Sequence, residues 1–290
     1  MLPSLVKSFL SGHKSRKAVF VWKRLERSLY NMNPYPAEGK EILRMQAKLT
    51  SPTCSIIIRS YNEEKSLGRL LEGIEKQTLQ DVEIILVDSG STDATLAIAS
   101  HFPVKIVQIA PQEFTFGRSL NLGLRHATAE LAVFASAHVF PVYPDWLEKL
   151  LTPFVDERIA LVYGRQIGTE KSKFSEKEIF SSWYPPSSET YQETSFCNNA
   201  NAAVRRSLAL EFPYNETLPG LEDIDWAQRI QQKGWKIHYA PEAEIVHAHQ
   251  ETPQGVYNRY KREGIAFKQI YIHERFGFLD FMRLSVRNIS

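Results

Sequence analysis

The chain has 290 residues, 43% hydrophobic and 23% charged, which suits a soluble globular protein of one large α/β domain with additions or two modest domains. Two cysteines, Cys54 and Cys197, are too few for a disulfide framework or a structural zinc; no run reaches the roughly 18 apolar residues of a membrane span, and no signal-peptide stretch opens the chain, so a cytoplasmic protein is expected. The formal charge of +2 conceals basic ends: residues 1–50 carry ten Lys/Arg against three Asp/Glu and residues 256–290 seven against three, leaving 51–255 at −9, a distribution that argues against nucleic acid and suits contact with an anionic membrane face.

Residues 1–30 carry a basic helical pattern, with Trp22, Leu25 and Leu29 at helical spacing; 31–36 breaks it, and 40–48 is a second short helix. This arm either packs on the body or docks on a membrane or partner. Ser51-Pro52 is a linker. From Cys54 the pattern alternates: a buried strand over 54–59 (CSIIIR), a helix over 63–77 with Leu67, Leu70, Leu71 and Ile74 on one face, a strand over 82–87 (VEIILV) and a helix over 93–100. A third strand spans 104–109, a helix 118–126, a fourth strand 131–135 and a helix 145–154. Such alternation predicts a mostly parallel sheet with helices on both faces, and ligands at the carboxyl ends of its strands. Residues 165–195, rich in Ser, Glu and Lys, are expected to form a long, partly mobile loop. A helix over 223–232, a short strand over 236–239 and a long amphipathic helix over 252–276 complete the outline.

The strand ends carry the candidate chemistry. The first strand runs into Arg59-Ser60-Tyr61-Asn62-Glu63-Glu64 and the second into Asp88-Ser89-Gly90-Ser91-Thr92-Asp93. Both turns offer short polar side chains and backbone N–H groups at a helix start, where phosphate or a heterocycle is well received; Ser60 and Ser91 also suit plain helix capping. Together they suggest a nucleotide pocket, with Tyr61 stacking on a base and Asp88 accepting from a pyrimidine N–H. His138, just after the fourth strand, suits a metal, a phosphate or a bond to its own loop. Glu222, Asp223 and Asp225 either complement a helix dipole or supply a general base. His247 and His249 share a face if that segment is extended.

As an ordered set, SIIIRSYNEE, EIILVDSGSTDAT, GRSLNLGL, FASAHVFP, NNANAAVRRS, LEDIDWAQRIQQKGW and VHAH resemble glycosyltransferase family 2, the inverting enzymes of the GT-A fold, from about Ser51 to about Gln250. The resemblance implies an α/β, GT-A-type mostly parallel sheet over 51–250, flanked by helices on both faces, with a helical N-terminal arm (1–50) and C-terminal extension (251–290). It places Ser60, Tyr61 and Glu63 at the nucleoside and Asp88 at the first acid of the family's Asp-Asp-Gly-Ser turn, with Ser89 replacing the second. Arg118 and Asn121 help hold the donor, Arg229 faces its diphosphate, and Asp223 is the acceptor-activating base, with Glu222 orienting acceptor or sugar. At 136–138 the family's metal-binding Asp-Xaa-Asp is replaced by Ser136-Ala137-His138. That leaves His138 and His247 as candidate ligands of Mn or Mg, or cationic groups to do the work without a metal. Trp183, Asn199 and Asn201 are candidate acceptor or sugar contacts, with Tyr184 a second candidate for stacking.

The expected activity is transfer from a nucleotide-diphosphate sugar, UDP or dTDP favoured by Asp88, to a saccharide or lipid-linked acceptor hydroxyl in cell-surface polysaccharide or glycolipid assembly. The alternatives are a non-catalytic nucleotide-sugar-binding protein and a sugar-nucleotidyltransferase, the latter lacking its Gly-rich phosphate loop here. A dinucleotide oxidoreductase is excluded by the absence of Gly-Xaa-Gly-Xaa-Xaa-Gly.

Overall fold

A computed structural model describes residues 51–170, 172, 174–248, 252–273 and 277. The chain divides at Ser51–Pro52 into two units, of which the second is described. The helices expected in the arm, and His249, lie outside the described residues; the helix expected over 252–276 ends earlier, at Ile270, with 271–273 described and not helical.

Strands β1 (Cys54–Ser60), β2 (Val82–Asp88), β3 (Val104–Gln108) and β4 (Leu131–Ser136) form a parallel array in the order β3-β2-β1-β4. The reason lies in the period of two along β1. Ile56 and Ile58 point to one face and pack with Leu70, Leu71 and Ile74 of α1 (Leu67–Glu75) and with Trp146 and Leu147 of α4 (Trp146–Leu151). Ile57 points to the other face, with Leu120 and Leu124 of α3 (Phe116–His126) and Trp226 and Ile230 of α7 (Glu222–Gln232). Each such side chain, fully buried, contributes roughly 1.5–3 kcal/mol. A strand apolar on both faces needs a layer on each, and the short α2 (Thr95–Ala99) completes the parallel half.

Beyond β4 the direction changes. β8 (Asn201–Arg205) runs antiparallel to β4 and to β6 (Ile159–Ile167), which lies parallel to β9 (Lys236–His247); β5 (Val139–Pro141) and β7 (Glu189–Thr190) pair antiparallel with β9. These reversals decide where the chemistry gathers. The start of β8 and the ends of β6 and β9 come to the same sheet edge as the carboxyl ends of β1, β2 and β4. Ser60 pairs with Asp88, Arg59 with Ser136, Ala135 with Asn201, and Val139 with His247.

Three expectations are corrected. The loop expected over 165–195 contains the end of β6, helix α5 (Phe174–Trp183) and β7. Phe180 and Tyr184 are buried within it, as are Gln166 and Gln192. The strand expected over 236–239 continues to His247 through Pro241. The chain tolerates that proline because β9 bulges there: Gly164 pairs with Ala240 and Gln166 with Ile245. A Cβ on Gly164 would stand 2.1 Å from the Ala243 carbonyl oxygen, so this bulge requires glycine opposite it. β8 and α6 (Arg206–Glu211), unforeseen, run on directly from the asparagine-rich turn.

Asn201 locks this junction. Its Nδ2 donates to the carbonyls of Arg165 (3.1 Å) and Ala243 (2.8 Å), and its Oδ1 accepts from Trp146 Nε1 (2.9 Å), all in the interior. Asn201→Ala leaves an indole N–H and two carbonyls without partners, and urea unfolding should show a loss of about 2–4 kcal/mol.

Candidate active site

The turns after β1 and β2 are tied to each other. Asn62, in the left-handed region at φ 54°, donates its N–H to Ser91 Oγ (2.9 Å) and accepts at Oδ1 from the Thr92 N–H (2.8 Å). The Glu63 and Glu64 N–H groups donate to Thr95 Oγ1 (2.7 Å) and Asp93 Oδ2 (3.1 Å), and Glu64 Oε2 accepts from the Ala94 N–H (3.1 Å). Sequence reasoning treated these as two turns with separate caps; they fold as one cross-linked unit. Tyr61 stands at its rim, 57% exposed, free to meet a planar ligand.

Asp88 is fully buried. Its Oδ2 accepts from the Gly90 and Ser91 N–H groups, both at 3.0 Å, and its Oδ1 from the Ser91 hydroxyl at 2.5 Å. The carboxylate therefore builds the turn, with one hydrogen bond on Oδ1 and two on Oδ2. Ser89 likewise turns its hydroxyl to the Ser60 carbonyl (3.1 Å). Ser60 Oγ is buried without a hydrogen-bond partner, the kind of group a ligand at this edge would satisfy. Ser136, half-buried, ends β4 beside Arg59.

Helix α7 brings its acids to the same edge. It starts from Leu221, which holds φ 55°, strain that a leucine keeps only where its surroundings impose it. Glu222 Oε1 accepts from Arg59 Nη1 at 2.9 Å, with the two side chains 6% and 18% exposed. Asp223 lies next to it. Its Oδ1 accepts from the Ile224 N–H (2.9 Å) and its Oδ2 from the Asn199 N–H (3.3 Å). Burial, then the neighbouring Glu222 charge, raises its pKa from the ordinary 3.8 to about 7, against the opposing pull of those N–H bonds and Arg59. A buried carboxyl that changes charge near neutrality, among converging polar groups, has the physical profile of a general base.

Arg59 was missed as a site residue. The signal was available: a charge ending the run SIII must find a partner or reach water. Its guanidinium also faces the Phe116 ring at 5.4 Å, as does that of Arg262 on α8 (Pro253–Ile270), also at 5.4 Å. Arg118, next to Phe116 in α3, is 41% exposed and 3.4 Å from Glu113. Two expected donor contacts are committed elsewhere. The Asn121 amide bonds the Tyr214 backbone at both ends and Glu216 Oε1 (all 2.9 Å), and so pins the 214–216 segment. Arg229 bonds Asp225 (2.9 Å) and the Pro213 carbonyl (2.8 Å).

The histidines meet as a stack. His138 and His247 have ring centroids 5.0 Å apart at 24°, and Phe180 lies 6.0 Å beyond His247. His138 Nδ1 is 2.7 Å from Glu63 Oε1, and His247 Nδ1 is 2.7 Å from Gln166 Oε1, a pairing only a protonated Nδ1 can make. Parallel rings direct their nitrogens side by side instead of at one point. Among the described residues no three His, Cys, Asp or Glu side chains converge as a metal site. The expected pair of metal ligands is thus adjacent, but the described donors do not fit a metal centre.

Of the expected acceptor contacts, Asn201 is buried, with its amide bonded to Arg165, Ala243 and Trp146 as above. Asn199 is buried beside Asp223, and its amide and the Tyr214 hydroxyl each lack a well-formed hydrogen bond. Trp183 is 51% exposed and lines a separate cavity of about 270 Å³ with Tyr163, Gln192, Phe196 and Tyr239, whereas Tyr184 is a packing residue. A cavity of about 630 Å³ opens at the opposite ends of β6 and β9, by Ile159 and His238, away from these groups.

The sequence profile described as glycosyl transferase family 2 matches residues 55–212, which include both turns, Arg118, Ser136, His138 and Asn199. The chain belongs to glycosyltransferase family 2. It is 32% identical over 236 residues to the O-antigen chain rhamnosyltransferase WbaN of Salmonella anatum, covering 74% of this chain and 72% of that one. It is 30% identical over 226 residues to the O-antigen chain rhamnosyltransferase RfbN of Salmonella typhimurium (strain LT2), covering 73% and 71%. Among solved structures, a mannosyltransferase from Pyrobaculum calidifontis in complex with GDP-Man and Mn2+ superposes with a TM-score of 0.61 at 19% identity, over 83% of this chain and 73% of that one. S. aureus TarS 1–349 in complex with UDP-GlcNAc gives 0.57 at 20% identity, over 76% and 66%. At such identities these structures show the fold, and it is the expected GT-A-like one.

Two outcomes follow for this glycosyltransferase. A carboxyl whose folded pKa lies above its unfolded one binds the proton more tightly when folded, so its contribution is complete below about pH 4 and is lost as pH rises through about 7. Thermal melts should therefore show Asp223→Asn gaining stability relative to wild type at pH 8, with the gain shrinking toward pH 4. Arg59→Met strands the Glu222 carboxylate and should cost about 3 kcal/mol in urea unfolding, while Arg59→Met with Glu222→Leu recovers part of it.

Proposed function

We propose that this glycosyltransferase transfers a sugar with inversion, from a nucleotide-diphosphate donor to an acceptor hydroxyl, in cell-surface polysaccharide assembly. The observation that carries the reading is Asp223: a buried carboxyl titrating near neutrality at the sheet edge where the two cross-linked turns end. The O-antigen rhamnosyltransferases among its relatives favour a deoxyhexose such as rhamnose as the transferred sugar and a growing glycan as the acceptor. A UDP or dTDP carrier is the preferred donor, with Asp88 accepting from a pyrimidine N–H while its turn bonds hold the carboxylate in place. The basic ends suit a lipid-linked acceptor and a peripheral place at the inner membrane face. Among the described residues no helix is long and apolar enough to cross a membrane.

In this reading Tyr61 and the 60–64 and 88–95 turns hold the nucleoside, and Ser60 Oγ gains a partner from it. The acceptor oxygen attacks the anomeric carbon as the bond to the diphosphate breaks, and that bond's electron pair leaves on the phosphate oxygen. Asp223 takes the acceptor proton, with Glu222, fixed by Arg59, setting its position. The transition state is oxocarbenium-like, and charge builds on the leaving phosphate. The exposed guanidinium of Arg118 is the group of this chain placed to meet it. A divalent cation, present with the mannosyltransferase above, would need a ligand set that the described residues do not form, so no step is assigned to one.

The test is a panel of UDP-, dTDP- and GDP-sugars, scored by thermal stabilisation with and without Mn2+, followed by donor turnover. Wild type should be stabilised by a dTDP- or UDP-sugar and release the nucleoside diphosphate. Asp223→Asn should keep the stabilisation and lose ~10²–10⁴-fold in turnover, the range of base catalysis. Near-normal turnover by Asp223→Asn would sink the assignment, and stabilisation without turnover in wild type would favour the non-catalytic alternative.

A further inference from the structure

Helix α8 is held at the mouth of the site by one face and, among the described residues, leaves the other exposed. Thr252 caps it, its Oγ1 accepting from the Gly255 N–H at 3.1 Å, with Pro253 in the first turn. Its inner face presents buried Ala266, the Arg262 guanidinium over Phe116, and Glu263, whose Cγ stands 4.0 Å from where a Cβ on Gly220 would be. Those contacts lie two residues from Glu222 and on the ring that Arg59 also faces.

Spacing of three to four residues puts Tyr257, Lys261, Ile265 and Lys268 in one outward stripe, with Tyr260 and Phe267 along one flank. All six are solvent-exposed, Tyr257 at 61% and Ile265 and Phe267 at 47% each, and Ile272 just beyond is exposed as well. The stripe holds no acidic residue; Glu263, the helix's one acid, is on the inner side. Exposed aromatic and aliphatic bodies alternating with lysines are costly against water alone and fit the headgroup layer of an anionic bilayer. There rings lie at the interface and lysine stems reach up to phosphates. Charge sharpens the fit, because 51–255 sums to −9 and is repelled by the surface that α8 attracts.

We propose that the outward face of α8 docks on anionic lipid and so holds the mouth of the site about one helix diameter, ~10–12 Å, from the bilayer. This rests on the reading of the protein as a transferase with a lipid-linked acceptor, and it adds the element that presents the site to that acceptor. It also accounts for Arg262 and Phe116, which tie the docking helix to Arg59.

The experiment is co-sedimentation of the full chain with vesicles of phosphatidylcholine containing about one-third phosphatidylglycerol, against phosphatidylcholine alone. Wild type should bind the anionic vesicles and lose them as salt rises. Lys261→Glu with Lys268→Glu should weaken binding by roughly tenfold or more, at about 1 kcal/mol per lysine at the surface. Tyr257→Ser with Ile265→Ser should weaken it several-fold. Because residues 1–50 are unchanged in both variants, the loss is assigned to α8. Wild-type partition in both variants would overturn the proposal, as would wild type failing to bind, or a wild-type dimer in vesicle-free buffer that the variants dissociate. Nucleotide-sugar stabilisation is measured on the same preparations, where it should be unchanged, so failure of the donor reading registers there and not in sedimentation.

Discussion

The pairing of Arg59 with Glu222 is the constraint on which the site depends. A guanidinium at the end of an apolar strand cannot stay in the interior alone, and a carboxylate 6% exposed at a helix start is as demanding. Each satisfies the other at 2.9 Å, and the bond joins the end of β1 to the start of α7 across 163 residues of sequence. Asp223 follows Glu222 directly, so fixing one fixes the other. The strained φ of Leu221 belongs to the same arrangement: the chain enters α7 at an angle that leucine does not favour, and the bonds on either side hold it there.

Much of this was legible from the sequence because it is local. The period of two in CSIIIR and VEIILV, the helical spacing of Leu67, Leu70, Leu71 and Ile74, and turn chemistry after each strand placed the parallel half of the sheet and the edge where ligands belong. The second half was harder for physical reasons. β6 and β8 are strands whose partners lie far along the chain, and β9 carries a proline that reads as a stop until the bulge opposite Gly164 is known. The polar residues show the same divide. Asn121 and Asn201 look like ligand-binding amides in sequence, yet each makes three hydrogen bonds inside the protein, to partners up to 95 residues away. A buried amide is useful to a ligand only if the protein has left it unsatisfied, and satisfaction is a tertiary property. Asp88 adds what the sequence did not show: its carboxylate also builds the turn after β2.

The replacement of Asp-Xaa-Asp by Ser136-Ala137-His138 changes the electrostatics of this edge. Two carboxylates there would need a cation to hold them together. A serine and an imidazole do not, and His138 is held instead by Glu63, by the His247 ring and by the backbone, its carbonyl accepting from the Ala248 N–H at 3.2 Å. Positive charge is placed around the edge by other means. Arg59 is spent on Glu222, Arg118 stands open to solvent, and Arg262 arrives from α8 onto the ring that Arg59 faces. Both guanidinium groups are drawn to the electron-rich Phe116 ring.

That arrangement bears on the proposed base. Asp223 is useful only if it is neither permanently charged, as a solvated aspartate is at neutral pH, nor permanently protonated, as an isolated buried one is. Burial and Glu222 push its proton affinity up; the Ile224 and Asn199 N–H groups and Arg59 push it down. The balance falls near neutrality, where the ionised form is well populated and the carboxylate is still basic enough to accept a hydroxyl proton as it is released. Burial is the largest influence and Arg59 the smallest of those acting on it, so the ion pair that holds α7 against β1 chiefly sets where Asp223 stands and only adds to the pull that lowers its proton affinity.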